Sequence, residues 1–242
     1  MSSAKIELYS AWYCPFAQRT WAALEYLDVP YIYKEIDPYE KTESWMELSR
    51  GTGQVPVLQI TEENRPQIRI PDSLRTMEYL DDISTSKTSL FPSDANDRAE
   101  ARFWLDQQGR TIIPFFYRFL KADKGSPEEA EAKAQMLDGL KSFTQAMSSS
   151  GPYFFANQAG IVDLALAPFA LRIELLLANF KDFHLPDTGE HWPRYHTWLQ
   201  AMKAHPAIIA TIPNPESYEA KLLEFYLPYS LGGGQKDVTV VG

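Results

Sequence analysis

The sequence contains one cysteine, Cys14, among 242 residues. A single thiol cannot close an intramolecular disulfide, and a zinc site built on a cysteine cluster is excluded. Histidine is also scarce. His184, His191, His196 and His205 all lie in the last quarter of the chain, and no pair has the i,i+4 spacing of a helical metal site, so no metal is expected. Basic residues are outnumbered, 23 Lys plus Arg against 32 Asp plus Glu, which gives a net charge of −9. Without a basic block, such a chain is a poor ligand for nucleic acid or for an anionic membrane surface. No apolar run approaches the roughly 18 residues of a spanning helix. Met1 to Lys5 lead into a strand-like pattern with no apolar signal-peptide core, so the expected location is cytoplasmic, with no nucleic-acid or membrane partner. Apolar material is plentiful: 45% of residues are hydrophobic and 13% aromatic, enough for one large core or two smaller ones.

Residues 1–83 alternate strand and helix signals. Lys5 to Tyr9 alternates apolar and polar side chains, and Pro15 to Leu27 carries Phe16, Trp21, Leu24 and Leu27 near helical spacing. Tyr31 to Ile36 is a second β-type run. A short helix over Ser44 to Arg50 is closed by Gly51 and Gly53. Val55 to Ile60 and Gln67 to Ile70 form two strands joined by a polar loop, and Ser73 to Ile83 is helical. The order β-α-β-α-β-β-α makes an α/β domain. Residues 84–93 have linker composition. From 94 to 230 the period is helical throughout: Asp94 to Lys121, Pro127 to Met147, the nearly all-apolar Ile161 to Phe180 as a buried central helix, Trp192 to Ala204, and Glu216 to Leu227. Residues 231–242 form a Gly-rich tail whose Val-rich end suits a sheet edge or a neighbouring surface.

Three short motifs carry chemistry. Cys14-Pro15 sits where a strand gives way to a helix, and proline favours the first helical position because its missing N–H would have gone unpaired. Cys14 then occupies the N-cap, facing the positive end of the helix dipole, which favours a nucleophilic thiolate; an inert cysteine in a turn is the plainer alternative. Val55-Pro56 at a strand start suggests a cis bond at Pro56, leaving the Val55 backbone to pair with an extended peptide, although an ordinary strand-initiating proline fits the same letters. Pro71-Asp72-Ser73 precedes a helix. Either residue serves as its N-cap, and the same helix end can receive a carboxylate while Asp72 takes an ammonium. Together the motifs imply a thiol peptide ligand with a free amino-acid end.

The segments Tyr9 to Arg19, Gly53-Gln-Val-Pro-Val-Leu58 and Asp72-Ser73 through Asp81 resemble a glutathione S-transferase of the omega class, and Trp198 to Lys203, Pro206 and Glu224 to Leu227 are similar to the same class. The resemblance spans about residues 4–230. It implies a thioredoxin-like N-terminal domain, an all-α helical-bundle C-terminal domain with a hydrophobic second-substrate site, a homodimer, and glutathione as cosubstrate. By motif, Cys14 would form a mixed disulfide with glutathione, held by Phe16, Lys41, the Val55 backbone, Asp72 and Ser73. Asp72 stands where Glu is more usual, and Lys41 fits the family lysine with a one-residue shift. In the helical domain, Gly160-Ile-Val-Asp163 keeps the acid of a capping box and replaces the capping hydroxyl with glycine. Trp12, Tyr13, Phe116, Arg172 and Tyr218 are the candidates for the second-substrate site. Arg172, within an apolar helix, is expected either to be paired at the surface or to face a cleft.

The expected function is glutathione-dependent thiol transfer or reduction, including deglutathionylation, with dehydroascorbate reduction running through the same cycle. One cysteine suffices, since a second glutathione resolves the mixed disulfide. Conjugation of electrophiles should be slow. A mechanism led by a hydroxyl of Tyr9 or Ser10 is disfavoured, as Ser10 lies too early and Tyr9 packs on its strand. The alternative is a ligandin that holds aromatic or hydrophobic small molecules with little turnover.

Overall fold

The computed structural model describes residues 4–233. The described residues fall into two compact units, one of residues 4–90 together with Pro206–Pro213, the other of Phe91–His205 and residues 214–233.

The first unit is thioredoxin-like. Its strands β1 (Lys5–Ser10), β2 (Ile32–Glu35), β3 (Val57–Thr61) and β4 (Ile68–Pro71) form one sheet in the order β2-β1-β3-β4. β1 runs parallel to β2 and antiparallel to β3, which pairs antiparallel with β4. The helices are α1 (Pro15–Tyr26), α2 (Glu43–Leu48) and α3 (Ser73–Ile83). The strand expected from Val55 begins two residues later, at Val57, which faces Tyr9 on one side and Pro71 on the other. Pro56 has no N–H to donate to a ladder.

Side by side, α1 and α3 are joined by polar as well as apolar contacts. The Thr20 and Thr76 hydroxyls meet at 2.6 Å in the interior. Successive residues on α1 point about 100° apart, so its neighbours reach other elements. Gln18 Nε2 donates to Thr211 Oγ1 at 2.9 Å, a buried bond between residues far apart in sequence. Pro206–Pro213, expected within the helical domain, belongs to the first unit, where α9 (Pro206–Ile209) packs on α1 and Thr211 is fully buried.

The second unit is all-helical, with α4 (Ala95–Gln107), α5 (Ile113–Lys121), α6 (Pro127–Ala146), α7 (Ile161–Lys181), α8 (Trp192–Lys203) and α10 (Pro215–Ser230). As expected from its composition, α7 is the buried element, and it packs against α4, α5, α8 and α10. Trp104, Phe143, Phe154 and Trp198 form an aromatic core with ring centroids 5.3–6.0 Å apart, the separation at which edge-to-face and tilted pairs attract. The single helix expected over 94–121 is instead two, separated by a π turn at Gln108–Ile112. Pro114 cannot donate to the carbonyl four residues back and its ring crowds that position, so the backbone widens there. A Cβ on Gly139 of α6 would stand 2.4 Å from the Thr111 carbonyl oxygen of this turn, so only glycine fits.

Two more buried groups order this unit. Asp163, three residues into α7, accepts from the amides of Phe154 (2.8 Å) and Gly160 (2.9 Å) and from the Trp198 indole (2.8 Å). Complete burial pushes its carboxyl up to about 6 despite these donors. Arg194 donates to the carbonyls of Ser148, Pro152 and Tyr153 and clasps the loop before α7. The tail expected over 231–242 lies outside the described residues from Gly234 onward.

Candidate active site

β1 ends at Ser10, and the Cys14 amide then donates to the Ala11 carbonyl at 2.9 Å, closing a tight turn. Pro15 takes the first position of α1, and the Cys14 carbonyl accepts the first intrahelical bond, from Gln18 at 3.0 Å. Cys14 is therefore the N-cap residue, with extended backbone (φ −82°, ψ 118°). Its half-buried side chain packs against a cluster of Ala11, Ala17, Trp45, Val55 and Val57. Cys14 thus stands at the positive end of α1, on an apolar floor and only partly buried, the setting in which a thiolate is stabilised and reachable.

Val55 belongs to that same cluster, and the Val55–Pro56 bond is cis. Among the described residues the Val55 amide and carbonyl make no hydrogen bond, while Val57 pairs on both sides. The backbone there is open to an extended ligand. Nearby, Lys41 Nζ donates to the Gly53 carbonyl. Gly53 adopts φ 59°, a left-handed conformation that favours glycine, and the Lys41 side chain lies against it, 2.8 Å from where a Cβ would stand. An ammonium has three donors, which leaves Lys41 donors for a ligand carboxylate beside the Val55 segment.

At the head of α3, Asp72 Oδ1 accepts from the Leu74 amide at 2.8 Å and the Arg75 amide at 3.2 Å. The helix end expected to receive a ligand carboxylate is thus partly filled by Asp72 itself, because its short side chain reaches its own first turn. The Ser73 amide and Asp72 Oδ2 make no hydrogen bond among the described residues, so an amino-acid head group would still find one donor and one anionic acceptor. Asp72 holds φ 79°, ψ 123°, a conformation that costs a non-glycine residue about 1–3 kcal/mol and gathers at functional sites. Ser73 is buried, and its hydroxyl accepts from Arg19 Nη1 at 3.3 Å. Arg19, itself buried, lies 5.3 Å from the centroid of the Phe16 ring. Phe16 therefore connects the Cys14 turn to Ser73 through Arg19.

Aromatic side chains flank the cysteine. Trp12 and Tyr13 meet edge to face at 5.8 Å, and Tyr13 stacks on Tyr39 at 6.5 Å with planes 10° apart. The Trp12 amide is fixed by Glu35 Oε1 at 3.2 Å. Tyr9 is engaged by Gln59, and burial raises its phenol above the usual tyrosine range, which argues against a Tyr9-led mechanism. Ser10 is fully buried.

The other candidates for the second-substrate site, Phe116, Arg172 and Tyr218, are buried in the second unit. Arg172 is neither paired at the surface nor open to a cleft: it donates to the Pro168 carbonyl at 2.8 Å, one turn back on α7, and reaches the Tyr218 hydroxyl at 3.4 Å. A buried cation is held only where several oxygens face it. Arg19, Tyr39 and Glu35 also lie at the site, and the short motifs do not mark them as part of it. For Arg19 a signal existed, a charge at i+3 from Phe16 on a face otherwise made of small and apolar residues. No group of three or more His, Cys, Asp or Glu side chains among the described residues is placed to hold a metal, and no described helix is long and apolar enough to cross a membrane.

The sequence model for the glutathione S-transferase N-terminal domain matches residues 13–83, the stretch that contains Cys14, Val55 and Ser73. Glutathione S-transferase U17 of Arabidopsis thaliana is 30% identical over 93% of this chain and 96% of its own. Pyrimidodiazepine synthase of Drosophila melanogaster is 30% identical over 85% of this chain and 79% of its own. Among solved structures, glutathione transferase omega 3C of Trametes versicolor superposes with a TM-score of 0.77 at 29% identity, covering 92% of this chain and 90% of that one. A thioredoxin-like unit with a thiol at the head of its first helix, an all-helical second unit, and full-length likeness at this level make the chain a member of the glutathione S-transferase family.

Proposed function

We propose that the protein is a glutathione-dependent thioltransferase of omega type, working through a Cys14–glutathione mixed disulfide. The observation that carries this is Cys14 at the N-cap of α1, half-buried in one cluster with Val55, whose backbone is open. The Cys14 thiolate attacks the glutathionyl sulfur of a mixed disulfide RS–SG. The S–S bond breaks, RS⁻ leaves and takes a proton from solvent, and Cys14–S–SG forms. The thiolate of a second glutathione attacks the glutathionyl sulfur of Cys14–S–SG; that S–S bond breaks, oxidised glutathione forms and Cys14 leaves as the thiolate, so no resolving cysteine is required. In this assignment the Val55 backbone pairs with the cysteinyl unit, Asp72 and Ser73 take the γ-glutamyl head, and Lys41 faces the glycyl carboxylate.

Intact mass after incubation with oxidised glutathione tests this. Wild type should gain one glutathionyl unit that reduced glutathione removes, and Cys14→Ser should gain none. An unmodified wild type overturns it.

The Trp12–Tyr13–Tyr39 aromatic group beside Cys14 favours a second function, retention of flat aromatic molecules. Binding of such a ligand should survive Cys14→Ser, whereas thiol transfer should not. The family likeness also leads us to expect a homodimer, which sedimentation of the intact protein would reveal.

A further inference from the structure

We propose that Arg19 is a positioning residue that couples the thiol end of the site to its amino-acid end; the proposal rests on the Cys14 assignment above. Three observations meet in this side chain. It is 97% buried, with 3% exposure, on the helix that begins at Cys14. Its guanidinium lies 5.3 Å from the centroid of Phe16, the second residue after Cys14. Its Nη1 donates to Ser73 Oγ, at the first residue of α3. Burying a permanent cation is costly unless hydrogen bonds hold it, and neutral threonines join the same two helices one residue further along. A charge is therefore not required merely to pack α1 on α3.

The guanidinium does two things that a neutral linker would not. Its cation over the Phe16 ring holds that side chain and, through it, the first turn of α1 that follows Cys14. Its hydrogen bond fixes the Ser73 hydroxyl, leaving the Ser73 amide and Asp72 presented to an α-amino-acid head. Five residues of helix, about 7.5 Å of rise, separate its Cα from that of Cys14, so its positive charge adds to the helix dipole at a developing thiolate. Lysine has the charge but lacks the planar fork and the stack.

The test uses the full-length protein and two readouts: the rate of Cys14 alkylation by iodoacetamide without glutathione, and the KM for glutathione in thiol transfer. Arg19→Lys should alkylate within about twofold of wild type while its KM rises about fivefold, because charge survives and geometry does not. Arg19→Met should lose on both counts, with alkylation about tenfold slower, the effect of one unit in thiol acidity. Wild-type values for both variants overturn the proposal. So does an equal fall in both readouts for both variants in proportion to lost thermal stability, which would make Arg19 a packing residue. If Arg19→Met does not fold, Arg19→Lys is combined with Ser73→Ala: KM effects that fail to add support the coupling, and additive ones overturn it. The alkylation readout needs no glutathione, so a wild type that never forms the mixed disulfide defeats the thioltransferase assignment and leaves this measurement separately decisive.

Discussion

Two aspartates stand at helix starts in the two units, and they are used in opposite ways. Asp72 caps α3 from an exposed position, bonds two amides through one oxygen and leaves the other unengaged among the described residues. Asp163 sits inside the first turn of α7, fully buried, with both oxygens occupied by three donors. The first holds an unfavourable backbone conformation beside the candidate site. The second joins the loop before α7, the helix start and the Trp198 indole. In the proposed assignment the acid with a spare oxygen at a strained turn serves a ligand, whereas the acid whose lone pairs are spent inside the protein serves the fold.

The comparison is broken most forcefully at Asp163. Replacing it with Ala orphans three buried donors, each costing about 1–3 kcal/mol, so a loss of about 3–5 kcal/mol is expected in urea unfolding of the whole chain. A loss below 1 kcal/mol would show that the loop and Trp198 find other acceptors. The pH response comes next. Burial holds the Asp163 carboxyl above its unfolded value, so the fold binds that proton more tightly than the unfolded chain does. Its contribution is complete below about pH 4 and is lost as the pH rises through about 6. Two units correspond to about 3 kcal/mol at most. Wild-type stability measured relative to Asp163→Asn should therefore fall between pH 4 and pH 6, and a difference that is flat or rising with pH would reverse the assignment.

What was legible in the sequence follows this same division between local and distant bonds. Proline after Cys14, alternation in β1 and the acid-serine pair before α3 act over a few residues, and their geometry is visible in the letters. The Gln18–Thr211 bond joins positions 193 apart, so nothing local marks Pro206–Pro213 as part of the first unit. Pro114 did announce a break in the long helix expected over 94–121, but its helical neighbours on both sides concealed it. Arg172 and Arg19 are both charges on apolar helix faces, and what distinguishes them is their partners: a carbonyl of its own helix and the Tyr218 hydroxyl for one, the head of α3 for the other.

At Asp72 the expected effect is smaller and of another kind. Asp72→Asn keeps an oxygen for the Leu74 and Arg75 amides, so stability should change by only a few tenths of a kcal/mol. The anionic acceptor is lost, however, and an exposed charge-assisted contact is worth about 1 kcal/mol, or roughly fivefold in KM for glutathione. A drop in stability with no change in KM would place Asp72 with Asp163, as an acid of the fold.

The finest test lies at the start of α7. Gly160 has no side chain to accept from the first-turn amides, and its extended backbone (φ −137°, ψ −167°) is one any residue adopts. Gly160→Ser supplies the missing acceptor opposite the bond that Asp163 already makes to the Gly160 amide, completing a reciprocal cap. Replacing glycine by a capping hydroxyl is worth a few tenths of a kcal/mol, so a small rise in the unfolding midpoint is expected with the KM for glutathione unchanged. A KM that moved with this substitution would show that the start of α7 acts on the ligand as well as on stability, and the contrast between the two aspartates would then be one of degree.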